Sequence, residues 1–158
     1  MFEVAHPDIS FTYDKNADSP MLISDRRQLG QAITNILKNA AESIEERKKS
    51  GPFAGEITIV LDHHDELLTV SIADNGIGLP EDRDRILEPY ITNRATGSGL
   101  GLAIVKKIIE EHFGEITLSD NSNGGAIVTL KFSPQLVAAK VGNKASPSRS
   151  TRMNEVLS

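Results

Sequence analysis

The chain contains no cysteine, so it has no disulfide framework, no thiolate nucleophile and no thiolate-bound zinc. No apolar run approaches the ~20 residues of a membrane-spanning helix, and no basic, apolar leader opens the sequence, so a soluble piece is expected. Positive charge is not in excess either. The formal net charge is −5, which leaves no broad cationic footprint, and nucleic acid is not expected as a partner. What is present suffices for one ordinary domain: 158 residues, 39% of them hydrophobic, can bury a core without metals or cross-links.

From Ile9 to Asp14, Ile9, Phe11 and Tyr13 alternate with Ser10 and Thr12, which reads as a strand. Asn16 to Pro20 reads as a turn and Met21-Leu22-Ile23 as a short strand. Asp25 is a helix cap, with Gln28 expected to complete a capping box. Leu29, Ile33, Ile36, Leu37, Ala40 and Ile44 then recur at helical period, until Glu45-Glu46-Arg47-Lys48-Lys49 is expected to turn to solvent. Gly51 and Pro52 close that segment. Two strands follow, Glu56 to Leu61 and Leu67 to Ala73, around the polar turn Asp62-His63-His64-Asp65-Glu66. A second helix starts near Gly99, with Leu102, Val105, Ile108 and Ile109 on its apolar face. Strands Glu115 to Ser119 and Ala126 to Phe132 complete the pattern. Residues 1–133 are expected to form the domain. Residues 134–158 read as a polar, disordered tail in which Leu136-Val137-Ala138-Ala139 extend order briefly. The element order predicts a two-layer α/β sandwich with helices on one face of a mixed sheet.

Several residues carry possible chemistry. Asp74 ends a strand whose parity (68, 70, 72, 74) puts it on the apolar face, where a carboxylate needs a partner. It can accept the proton of an exocyclic amine, although Asp74-Asn75-Gly76 is equally a plain turn sequence. Gly78 points to a close approach of ligand or backbone. Gly97, Gly99 and Gly101 precede a helix and can turn successive amides toward phosphates, yet no Gly-Lys-Ser/Thr follows, so this is not a Walker loop. Asn35 and Asn39 lie one helical turn apart, with Glu42 continuing the stripe. They form either a solvated face or a set in which an amide oxygen ligates magnesium. Lys38 and Arg94 can offer charge to phosphates. His6, His63, His64 and His112 have no metal-ligand spacing, and nothing around His6 marks a phosphorylated histidine.

Taken together and in order, these segments resemble the catalytic and ATP-binding domain of bacterial sensor histidine kinases, whose fold (the Bergerat, or GHKL, fold) is shared with gyrase, Hsp90 and MutL-type ATPases. Asn35-Ile-Leu-Lys-Asn-Ala-Ala-Glu42 is similar to the family's N-box. Asp74 to Leu79 resembles the first glycine box, Gly97-Ser98-Gly99-Leu100-Gly101-Leu102 the second, and Glu88-Pro-Tyr-Ile-Thr-Asn-Arg94 the aromatic box and start of the ATP lid. Gly124-Gly125 with Thr129 matches the last motif. The resemblance runs from about residue 8 to 133.

The resemblance implies ATP and Mg2+ as cofactors, with Asn39 on the metal, Asn35 beside it and Lys38 at the phosphates. It implies adenine recognition by Asp74 with Thr129 helping through water, and a base that approaches over Gly76 and Gly78. Tyr90 and Arg94 would serve from the lid. Asn35 stands where ATPase relatives place a water-activating glutamate, so fast hydrolysis is not expected. Ile86, Leu87 and Tyr90 replace the phenylalanines that many members carry. No histidine-bearing helical hairpin precedes residue 8, so an excised, monomeric domain is expected, acting on a separate dimerisation and phosphoacceptor domain. The 88–112 segment looks most like nitrogen-regulation sensor kinases of the NtrY kind, which implies a response regulator of the NtrX kind and a parent in the bacterial inner membrane. An anti-sigma-type serine kinase and a degenerate nucleotide-binding interaction module are the alternatives.

Overall fold

Alternating apolar residues build the sheet. The structure, a computed structural model, describes residues 6–16, 21–88, 101–135 and 150–157. In chain order the elements are β1 (Ile9–Lys15), β2 (Met21–Ile23), helix α1 (Arg26–Lys48), β3 (Gly55–His64) and β4 (Leu67–Asp74), followed by a 3-10 turn (Arg83–Leu87). After these come α2 (Gly101–Glu111), β5 (Glu115–Asp120), β6 (Ala126–Phe132), β7 (Ser150–Arg152) and the short helix α3 (Met153–Leu157). Five strands form one sheet in the order β1-β3-β4-β6-β5; β1 runs parallel to β3 and every other neighbouring pair is antiparallel.

The register lines up one apolar face. Ile59 pairs with Ile72 and Ile72 with Val128; Leu61 pairs with Val70 and Val70 with Leu130; all six are buried. Against this face α1 lays Leu29, Ile33, Ile36, Ala40 and Ile44, and α2 lays Val105, Ile108 and Ile109. On the other face, Thr58, Ser71, Ala73, Ile127 and Thr129 remain half exposed. Sheet and helices therefore make the expected two-layer α/β sandwich, with one face of β3, β4 and β6 buried under the helices and the other left half exposed.

Three local expectations are corrected. β3 and β4 run on until only Asp65 and Glu66 separate them, both at positive φ (47° and 67°), so the five-residue polar turn shrinks to a two-residue hairpin turn. The α1 cap is half as expected. The Asp25 carboxylate accepts from Arg27 N–H (2.9 Å) and Gln28 N–H (3.2 Å), but the Asp25 N–H donates to His112 Nε2 at 3.0 Å. The end of the tail is ordered rather than disordered: β7 pairs antiparallel with β2, and Met153 is buried in the core. Polar composition masked this, because Met153, Val156 and Leu157 recur at helical spacing and pack on the cluster containing Leu22 and Leu29. Leu136 to Ala139 lie outside the described residues.

Candidate functional site

Helix α1 carries the polar stripe Asn35, Asn39, Ser43 and Arg47, each four residues after the last and so on one helical face. Its first half meets the start of α2. Asn35 Nδ2 lies 3.5 Å from the Gly101 carbonyl oxygen, and a Cβ placed on Gly101 would sit 3.6 Å from Asn39 Nδ2 and 3.8 Å from its Oδ1. The N-box and the last glycine of the second glycine box thus face each other. Lys38 is exposed beside the stripe, and Asn35 and Asn39 are half-buried.

The second half of the stripe meets the end of β4. Asp74 is only 6% exposed on the core face, as its parity predicts, and its Oδ1 accepts from the Gly76 N–H at 2.8 Å. The turn reading and the buried-carboxylate reading therefore both hold. Gly76 packs directly on α1, where a Cβ would come within 2.7 Å of the Ile44 nitrogen. The Ile77 N–H donates to Ser43 Oγ (3.1 Å) and to the Ser43 carbonyl (3.3 Å). Arg47 Nη1 donates to the Asn75 carbonyl at 2.6 Å and approaches the Gly76 carbonyl at 3.4 Å. Asn75 is tied to β3: its Oδ1 accepts from Glu56 N–H (2.8 Å) and its Nδ2 donates to the Ala54 carbonyl (3.0 Å). From the other side, Asn121 Nδ2 donates to the Asp74 carbonyl at 2.9 Å. The Asp74–Gly78 turn is held by three elements at once and is pre-organised.

Ser43, Arg47 and Asn121 were not legible as site residues. For Ser43 and Arg47 the signal was the four-residue continuation of Asn35 and Asn39. Arg47, expected in solvent with its charged neighbours, instead turns inward and stacks on Phe53 with its guanidinium carbon 4.1 Å from the ring centroid.

Among the expected residues, Gly78 has φ of 84°, a conformation that favours glycine. Leu102 is half-buried on α2 against the core. Thr129 is a correction. It points to the opposite face of the sheet from Asp74, with its Oγ1 3.4 Å from Ser71 Oγ, because odd positions of β6 face outward while Ala126, Val128 and Leu130 face the core. The core-face residue of β6 nearest the Asp74 end is Ala126, which brings no hydroxyl. Tyr90, Arg94, Gly97, Ser98, Gly99 and Leu100 lie outside the described residues, as does the start expected for the second helix. Ile86 and Leu87 are half-buried in the 3-10 turn, which is pinned to β5 by Arg83 and Asp120 (2.8 Å). Among the described residues no cluster of three histidine, aspartate or glutamate side chains can hold a metal, so a divalent cation here would rely on an amide oxygen and on ligand oxygens.

The sequence profile described as histidine kinase-, DNA gyrase B-, and HSP90-like ATPase matches residues 24–136. The nitrogen regulation protein NtrY of Azorhizobium caulinodans is 44% identical over 93% of this chain and 18% of its own length. Two solved structures are similar: the catalytic domain of histidine kinase ThkA (TM-score 0.71, 26% identity, 84% of each chain) and a mycobacterial sensor histidine kinase, MprB (TM-score 0.70, 28% identity, 83% of this chain and 85% of that one). The chain belongs to the histidine kinase-, DNA gyrase B- and HSP90-like ATPase family, as an ATP-binding domain of the sensor histidine kinase type. It spans about a fifth of the length of the curated relatives it matches.

Proposed function

We propose that this domain holds ATP so that its γ-phosphoryl group passes to a histidine on a dimerisation domain of the parent protein, for relay to an aspartate of a response regulator. The observation that carries this reading is the single stripe on α1. Its Asn35–Asn39 half faces the glycine that opens α2, and its Ser43–Arg47 half faces the turn after the buried Asp74.

Asp74 would accept from the exocyclic amine of adenine, at the purine end. At the phosphate end, the Asn39 amide oxygen would ligate magnesium, and Lys38, with Arg94 and the amides of 97–101, would offset phosphate charge. Magnesium, when bound, neutralises negative charge on the phosphate oxygens. Asn35 has no titratable group, so it does not deprotonate water, and the phosphoryl group is kept for an imported nucleophile. Catalysis by these residues is positioning and charge neutralisation, not acid–base chemistry.

The resemblance to kinases of the NtrY kind leads us to read the regulator as one of the NtrX kind and the parent as membrane-anchored; among the described residues no helix is long and apolar enough to cross a bilayer. The domain itself is read as a monomer with no nucleic-acid partner. A histidine acceptor is favoured over the serine of the anti-sigma kinases because the similar proteins include an NtrY-like sequence named as a putative sensor histidine kinase (38% identical) and the catalytic domain of histidine kinase ThkA. Calorimetry with ATP tests the site: Asn39→Ala should weaken binding in magnesium and make it insensitive to chelator. A chelator response equal to wild type would remove Asn39 from the metal.

A further inference from the structure

Arg47 does more than end a helix. Its guanidinium is stacked on Phe53, 4.1 Å from the ring centroid, and Nη1 is directed at two successive carbonyls of the Asp74 turn, those of Asn75 (2.6 Å) and Gly76 (3.4 Å). The same Nη1 also sits against the β5–β6 hairpin, where a Cβ on Gly124 would lie 2.8 Å from it. One turn earlier, the buried Ser43 takes the Ile77 N–H on both its hydroxyl and its carbonyl oxygen. The turn is thus held to α1 by a donor on its carbonyl side and an acceptor on its amide side. Arg47 is suited to the first role because a planar guanidinium, fixed by stacking on Phe53, loses little freedom in donating from Nη1 to the turn.

We infer that Arg47, acting with Ser43, is a positioning residue that sets the purine end of the pocket, while Asn35 and Asn39 set the phosphate end from the same helix. The inference rests on the reading of Asp74 as the purine acceptor. It predicts that purine affinity and phosphate affinity respond separately to changes along one stripe. A residue needed only for folding would not discriminate between them.

The test uses the full 158-residue chain with magnesium and three probes, ATP, GTP and inorganic tripolyphosphate, measured by calorimetry. Arg47→Met should lower ATP affinity about tenfold, the size of one charge-assisted hydrogen bond, and bring the ATP-to-GTP ratio toward one. Tripolyphosphate binding should stay within about twofold. Arg47→Lys should recover part of the ratio, since an ammonium can still donate to the Asn75 carbonyl but has no planar face to stack on Phe53. Equal losses of ATP and tripolyphosphate, or an unchanged ATP-to-GTP ratio, would overturn the inference. Should Arg47→Met not fold, Phe53→Leu decides on the same ratio: it leaves the guanidinium but removes its stacking surface, and a ratio equal to wild type overturns the inference. Asp74→Asn separates the two failures. If its ratio changes while that of the Arg47 variants does not, Arg47 alone has been misread; if Asp74→Asn also leaves the ratio unchanged, the purine reading falls and takes this inference with it.

Discussion

Gly125 lies directly against Asp74. With φ of 89°, it brings the β5–β6 hairpin so close to the end of β4 that an added Cβ would collide with the Asp74 carbonyl and come within 2.7 Å of the Asn75 α-carbon. The hairpin and the Asp74 turn therefore act as one piece, which Asn121 completes by its hydrogen bond to the same carbonyl.

Gly125→Ala should cost ~2 kcal/mol or more, since the backbone conformation and the lack of space both oppose a side chain. Gly30→Ala should do the opposite. Nothing lies within 4 Å of a Cβ there and the site is inside a helix, so a gain of ~0.5–1 kcal/mol is expected. Thermal melts of the two variants check the contrast. Equal midpoints would mean that the close approach at Gly125 has been misplaced.

Asp74→Asn should reduce the preference for ATP over GTP while sparing inorganic tripolyphosphate. The side chain keeps its size but loses its charge, a change of roughly 1.5–3 kcal/mol if it accepts from the base. Competition binding with the two nucleotides reads it directly. Selectivity equal to wild type would leave Asp74 as a turn residue only.

His112 joins the end of α2 to the start of α1: its Nδ1 lies 2.7 Å from the Ile108 carbonyl and its Nε2 accepts from the Asp25 N–H. This fixes the neutral tautomer with the proton on Nδ1. His112→Phe should lower stability by ~1–3 kcal/mol, chiefly by leaving the Asp25 N–H without its partner. Denaturant unfolding measures it, and an unchanged midpoint would show that solvent replaces the ring without loss.

How far the site was legible depended on which period carried each residue. Strand parity placed Asp74 on the core face, and helical period brought Asn35 and Asn39 to one side of α1. Thr129 was assigned from the wording of a motif, and its own strand parity turns it away from Asp74. Arg47 was hidden because a run of charged residues at a helix end ordinarily faces water; the turn contributed by residues 75 and 76, together with the Phe53 ring, gives the guanidinium something to bind. The β2–β7 pairing joins segments more than a hundred residues apart, and no local pattern in a polar stretch announces such a contact.

In the proposed reaction a histidine outside this chain receives the γ-phosphoryl group of the bound ATP. The most direct measurement incubates the chain with labelled ATP, magnesium and a separately produced dimerisation domain carrying the parent protein's histidine. Label that is labile to acid and stable to base is expected on that domain, and almost none on the chain itself. Acid-stable label on a serine, or rapid release of free phosphate by the chain alone, would contradict that reaction.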